Sequence, residues 1–177
     1  MASVSVHPAI AEIGRDTWDG VANPFGNPFI SFDFLDILEH SGCASPRTGW
    51  SPCHLAARDH QNRLVGVMPL YLKTHSQGEY VFDWSWADAY ERAGGQYYPK
   101  LQCAAPFSPV TGPRLIGPDE AKPSLLAGAL ELCRRTGASG LHVTFASQED
   151  WRFLGDQGLL QRQDRQFHWR NQGYDSF

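Results

Sequence analysis

Apolar and polar positions follow two periods along this chain, and each period marks an element. Residues 3–13 (SVSVHPAIAEI) alternate as an edge strand does, and Pro8 interrupts them. Residues 15–22 fit a short helix. Two Asn-Pro steps in 23–29 disfavour helix and predict a loop. Ser31 then caps a helix running through His40, with Phe34, Leu35 and Leu38 on one face and Gly42 past its end. Residues 53–59 and 64–73 read as two strands joined by the polar turn 60–63, a hairpin signal. Pro69 has no N–H for a ladder, so a bulge or an edge is expected there. The clearest helical period is 123–136. Pro123 suits its first turn, Leu125, Leu126, Ala129, Leu130 and Cys133 share a face, Arg134 and Arg135 favour its C-terminal end, and Gly137 stops it. A strand over 139–146 follows, with Leu141, Val143 and Phe145 on one side. A helix over 148–157 and a last strand over 161–170, with Phe167 and Trp169 alternating, complete the pattern. A hairpin followed by strand–helix–strand crossovers predicts an α/β (α+β) domain with a mixed, mostly antiparallel sheet and helices on its faces.

One stretch has a different texture. Residues 76–98 carry Tyr80, Phe82, Trp84, Trp86, Tyr90, Tyr97 and Tyr98. Their first part alternates like a strand, and WADAYERAG (86–94) predicts one or two helical turns ended by Gly94. A short strand and a Pro/Gly-rich loop fill 100–116.

Composition narrows the classes. Hydrophobic residues are 42% of the 177 and charged residues 19%, which suits one globular domain. A net charge of −4 argues against a general nucleic-acid binder, and no DNA partner is expected. No stretch approaches the length of a membrane span. Cys43, Cys53, Cys103 and Cys133 form no C-x-x-C pair, so no metal site is expected. With no signal peptide, these thiols point to a reducing, cytoplasmic setting.

The block VMPLYLKTHSQGEYVFDWSWADAYERAGGQYYPKLQCAAPFSPVTGPRLIG (67–117) resembles the signature of the bacterial FemAB-like family, within the acyl-CoA N-acyltransferase (GNAT) superfamily. NPFISFDFLDILEHSGC (27–43) and LHVTFASQEDW…FHWRNQGYDSF (141–177) are similar to the same family. The resemblance implies a GNAT-like domain over 1–177, forming the N-terminal half of a longer tandem-GNAT protein. It also implies N-acyl or aminoacyl transfer to an amine acceptor in peptidoglycan biosynthesis, from acyl-CoA or an aminoacyl-tRNA. The implied partners are a C-terminal GNAT-like half or a second copy, and a peptidoglycan precursor or peptide. The chain departs from the catalytic pattern at one point. It lacks the [QR]-x-x-G-x-[GA] turn that holds an acyl-CoA pyrophosphate, and RLIGPDEAKP before the helix at 123 offers two acids instead. No cofactor is therefore expected on this half alone.

Acyl transfer to an amine needs a base and oxyanion donors. Such groups crowd 75–100: His75, Glu79, Asp83, Asp88, Tyr90, Glu91, Tyr97, Tyr98 and Lys100. Asp83, between Phe82 and Trp84, is the candidate catalytic residue, since an acid among aromatic rings is expected to have a raised pKa. The competing role is a capping or salt-bridged Asp. Trp84, Trp86, Tyr90, Tyr97 and Tyr98 either line a groove for a sugar, nucleobase or peptide or pack a core. Asp88 belongs to the same substrate-binding set. Lys100 and Arg114 are candidates to hold a phosphate or carboxylate, against the plainer role of solvated surface charges. His142 falls on the opposite strand face from Leu141 and Val143, where a structural role is expected. Ser108 and Ser147 lack a nucleophile-elbow context. Three functions follow: a transferase, a recognition half that binds a cell-wall precursor, or a structural half that packs on a partner.

Overall fold

The structure, a computed structural model, describes residues 2–23 and 26–174. Twelve principal elements run along it: β1 (Ser3–His7), α1 (Arg15–Ala22), α2 (Phe32–His40), β2 (Trp50–Pro52), β3 (His54–Arg58), β4 (Leu64–Met68), β5 (Leu70–Lys73), α3 (Trp84–Arg92), β6 (Lys100–Cys103), α4 (Lys122–Thr136), β7 (Leu141–Val143) and α5 (Gln148–Asp156). The caps explain several boundaries. Ser31 accepts a hydrogen bond from Phe34 N at the start of α2, and Ser147 accepts one from Asp150 N at the start of α5. Gly137, at φ 67, closes α4. Pro24 and Phe25 of the expected 23–29 loop lie outside the described residues. After them, Pro28–Ile30 form a 3-10 turn instead of open loop.

The expected mixed, mostly antiparallel sheet is present in two parts. One has the order β1-β3-β4, all antiparallel, with β1 at its edge. The other has the order β2-β5-β6-β7, in which only β6 and β7 run parallel. Pro69 marks the division. It ends β4 in the first sheet, and β5 continues in the second; Cys53 divides β3 from β2 in the same way. Cys53 N donates to Leu70 O at 2.8 Å, and Leu70 N donates to His54 Nδ1 at 3.2 Å. A backbone amide and an imidazole thus replace the ladder bonds that proline cannot supply. With Nδ1 accepting, the His54 proton sits on Nε2 and is donated to Glu39 Oε1 at 2.7 Å, tying β3 to α2.

Helices cover both faces of the first sheet. Leu55, Ala57 and Met68 face α4, where Leu125, Leu126, Ala129, Leu132 and Cys133 are buried. Ala56 and Val67 face α1 and α2, packing with Trp18, Ile30 and Leu35. Trp18 is fully buried, and its indole N–H finds Ile30 O at 2.8 Å. Leu130, expected on the core face of α4, is 47% exposed. Leu132 takes the place, because it lies one turn beyond Ala129 on the buried side.

Two expected strands are absent. Residues 76–83 form no strand, and Tyr80 at φ 56 interrupts any extended run. Residues 161–170 have no regular structure, and Phe167 stands 96% exposed. Conversely β2, a three-residue strand, was not expected. Its WSP sequence is too short to show a period.

Candidate functional site

The second sheet has two unlike faces. Leu70, Leu101 and Cys103 join the core against α4 and α5, with Leu72, Leu141 and Val143 packed beside them. The opposite face is polar. The strand registers place Trp50, Lys73 and Lys100 in one cross-strand row, and Tyr71, Gln102 and His142 in the next. Lys73, Lys100, Tyr71 and Gln102 are all fully buried. Two buried ammonium groups in adjacent positions repel each other and lose their hydration. Residues 76–98 compensate by folding over this face and lowering Glu79 and Asp83 onto it.

Lys100 Nζ is the centre of the cluster. It donates to Glu79 Oε2 at 2.7 Å, Asp83 Oδ2 at 2.7 Å and Ser76 Oγ at 2.8 Å. Tyr97 Oη donates to the same Asp83 oxygen at 2.8 Å, and Tyr98 Oη shares a hydrogen bond with Ser76 Oγ. Lys73 Nζ lies 3.7 Å from the Trp50 ring centroid, donates to Gln77 O at 3.3 Å and stands 4.0 Å from Glu79 Oε1. Four buried oxygens on this face, Tyr71 Oη, Glu79 Oε1, Asp83 Oδ1 and Gln102 Oε1, have no hydrogen-bond partner among the described residues.

Burial and charge move these groups in different directions. Burial pushes Lys73 down to about 7, against the pull of Glu79. Burial likewise raises Glu79, although Lys100 opposes it. Burial thus works against the charged form of both groups. Asp83 departs from expectation. Burial works to raise it, but hydrogen bonds from Lys100, Ser76 and Tyr97 together outweigh burial and hold it below the usual carboxylate range. It is a salt-bridged carboxylate, the competing role, and makes no side-chain cap to α3. Burial, then Lys100, lowers His142 to about 4, so its ring against Tyr97 is neutral at pH 7.

The expected substrate-binding residues divide into three places. Trp84, Trp86 and Tyr90 on α3 stand outside, exposed by 62%, 64% and 48%. Asp88 is with them, paired to Arg92 at the surface. Tyr97 and Lys100 are inside the cluster and Tyr98 is at its margin. Arg114 is elsewhere, 1% exposed, donating to the carbonyls of Thr144, Pro113 and Val110. It fastens the loop after β6 to the end of β7. Neither Lys100 nor Arg114 is a solvated surface charge. Lys73, Ser76 and Gln102 were not singled out by the sequence reading, and Glu79 appeared there only among the polar groups of 75–100, without a role. The available signal was LYLK and KLQC, in which Tyr71, Lys73, Lys100 and Gln102 fall on one face of strands whose other face is apolar.

The start of α4 is filled by the protein's own charges. Lys122 pairs with Asp119 at 3.0 Å, with Asp150 at 3.4 Å and with Glu149. A mostly apolar cavity of about 630 Å³ lies between α1, the turn at Ile30, β4 and Ile116–Pro118. Among the described residues, no group of three or more His, Cys, Asp or Glu is placed to hold a metal ion. No helix among them is long and apolar enough to cross a membrane.

A family and a fold are recognisable in this chain. A family model described as FemAB-like, peptidoglycan biosynthesis/recognition, matches residues 9–177. No curated protein matches the chain in sequence. Among solved structures, an aminoglycoside 6'-N-acetyltransferase from Acinetobacter baumannii aligns over 98% of this chain and 100% of its own, at 11% identity and a TM-score of 0.50. An acetyltransferase from Trypanosoma brucei aligns over 97% and 100%, at 12% identity and a TM-score of 0.48.

Proposed function

Because the chain belongs to the FemAB-like family of peptidoglycan biosynthesis/recognition and has the GNAT fold, we propose that it serves N-acyl or aminoacyl transfer to an amine acceptor of the peptidoglycan-precursor class, and that its own part is the acceptor surface. One observation carries this reading. The segment 76–98 buries Glu79 and Asp83 against the sheet, so that α3 offers Trp84, Trp86 and Tyr90 to solvent from an ion-clamped base. Such rings suit the flat faces of sugars and peptide bonds. Asp88, whose surface pair with Arg92 is weak competition, suits an acceptor ammonium. Tyr97, Tyr98 and Lys100 position that surface from below, and Asp83 anchors it. Arg114 holds the neighbouring loop. The donor in this reading is acyl-CoA or an aminoacyl-tRNA, and the mostly apolar cavity between α1 and β4 suits an acyl group.

The test is the shift in melting temperature and in tryptophan fluorescence on adding a UDP-linked muropeptide, short peptidoglycan peptides, acetyl-CoA or longer acyl-CoAs. A muropeptide at about 100 times its dissociation constant should add roughly 2.7 kcal/mol of stability. Trp84→Ala with Trp86→Ala should abolish that shift. A muropeptide shift that survives both substitutions would remove α3 from the acceptor site.

A second reading, recognition without chemistry in this domain, is favoured by the burial of both acids. Glu79 and Asp83 are each 3% exposed, out of reach of an acceptor on α3. The chemistry would then come from a C-terminal GNAT-like half or a second copy. Single-turnover transfer by this chain alone, lost in Asp83→Asn at unchanged muropeptide affinity, would overturn that second reading.

A further inference from the structure

Away from α3, a cavity of about 510 Å³ opens where α2, the turn before β2, the turn after β5 and the loop after β6 converge. Its walls are Leu38, Trp50, His75 and Phe107, and its rim carries Cys43, Arg47 and Gln77. Its volume is in the range of small-molecule sites.

The cavity is built, and its construction carries backbone strain. Phe107 has φ 57, a left-handed conformation that a bulky side chain rarely adopts. That conformation accompanies a ring contact with Trp50, at 5.3 Å between centroids, over the space left by Gly78. A Cβ at Gly78 would approach the Phe107 ring to 2.6 Å. Gly49, at φ 70, leaves equivalent room for the His75 imidazole, which a Cβ would meet at 2.4 Å. His75 Nδ1 accepts from Gln77 N, while burial first and Lys73 second lower its pKa. The turn that presents Arg47 is locked by a capping box. Ser45 N donates to Thr48 Oγ1 at 3.1 Å, and Thr48 Oγ1 donates to Cys43 O at 2.7 Å.

Three polar groups on the rim are uncommitted. The Arg47 guanidinium is exposed and makes no hydrogen bond or ion pair among the described residues; the Gln77 side-chain amide likewise makes none. Cys43 is a free, exposed thiol. No Asp or Glu is among the lining residues, and Lys73 lies over the Trp50 ring that forms one wall. The site thus combines a planar cation, an amide and aromatic walls in a field that is positive or neutral. A guanidinium fork matches a carboxylate in two parallel hydrogen bonds, an amide matches a peptide group, and the rings accept a small apolar side chain.

We propose that this cavity binds the carboxylate end of a short peptide, with Arg47 on the carboxylate, Gln77 on the last peptide group, and Phe107, backed by the buried Trp50, against the terminal side chain. The proposal is independent of the α3 surface and of any transfer reaction.

The test uses N-acetyl-alanyl-alanine, its C-terminal amide, and inorganic phosphate, each titrated into the intact chain. Binding is followed by the Trp50 indole NMR signal, and by how far each probe slows alkylation of Cys43 with iodoacetamide. The expected result is saturable binding of the free acid, at least tenfold weaker binding of the amide, and protection of Cys43 by the acid alone. Arg47→Ala should lose at least tenfold in affinity with an unchanged melting temperature, since Arg47 is exposed and unpaired. Arg47→Lys should recover only part of that loss. Equal binding of acid and amide, full affinity in Arg47→Ala, or no binding would each overturn the proposal. Phosphate displacing the peptide at equal affinity would make this a phosphate site and overturn the peptide assignment.

Discussion

Lys73 and Lys100 are direct cross-strand partners on β5 and β6, both fully buried, and they are tolerated because Glu79 reaches between them. Glu79 Oε2 contacts Lys100 at 2.7 Å, while Oε1 stands 4.0 Å from Lys73. Two cations and two carboxylates, Glu79 and Asp83, balance formally. Replacing Lys100 by Met would leave both acids buried without their main partner. A loss of about 3–5 kcal/mol is expected in urea denaturation, the cost typical of breaking a buried ion pair from one side. A loss under about 1 kcal/mol would mean that the cluster is not dry.

The burial of Lys73 gives the fold a pH signature above neutrality. Its folded pKa, near 7, is below the unfolded value of 10.5, so between those values the unfolded chain binds more protons. The stability from this group is present above the unfolded pKa and is lost as pH falls through the folded one. Denaturation midpoints measured from pH 7 to pH 9 should therefore rise with pH, and Lys73→Met should flatten the rise. Parallel slopes in both proteins would show that Lys73 keeps its proton in the fold.

His142 acts on the acid side with the same sign. Its folded pKa near 4 lies below the usual 6.5, so stability drains as pH falls across that window. His142→Gln should lessen the loss between pH 6.5 and pH 4. Its imidazole resonance in the native protein should not titrate above pH 5.

The two groups of aromatic residues should separate cleanly on substitution. Trp86→Ala, on the exposed side of α3, is expected to change stability by less than about 0.5 kcal/mol. Tyr97→Phe removes the hydroxyl that donates to Asp83, and should cost about 1–3 kcal/mol. Thermal melts of the two variants side by side decide whether the rings of 76–98 belong to one layer or two.

Arg114→Met removes the donors that hold three backbone carbonyls, and should destabilise by more than about 2 kcal/mol. Faster amide exchange in 104–115 should accompany the loss. An unaffected loop would contradict its role as a lock.

Helices with chemical punctuation were legible in the sequence. Ser31 and Gly137 perform the capping roles expected of them, and Ser147 caps α5, a role the sequence reading did not assign. The hairpin at β3–β4 was legible for the same reason, since its turn is polar and its flanks are apolar. The segment 76–83 was not, because its alternation is real but inverted. Tyr80 and Phe82 point out while Glu79 and Asp83 point in. Only knowledge of the lysines waiting on the sheet could reverse the usual assignment, and those lysines come from strands on either side of the segment. The same non-locality hid Lys73 from the candidate site, left Glu79 without a partner in the sequence reading and suggested a raised pKa for Asp83. At 161–170 the period-two pattern is present without a sheet edge bonded to it, and alternation alone does not make a strand.

The crossing at Pro69 and Cys53 has a consequence for how the domain comes apart. One continuous ribbon, residues 50–58 against 64–73, supplies β2 and β5 to one sheet and β3 and β4 to the other. Neither sheet can melt without taking strands from its neighbour. The two therefore share one unfolding event, and circular dichroism and tryptophan fluorescence should report a single coincident transition.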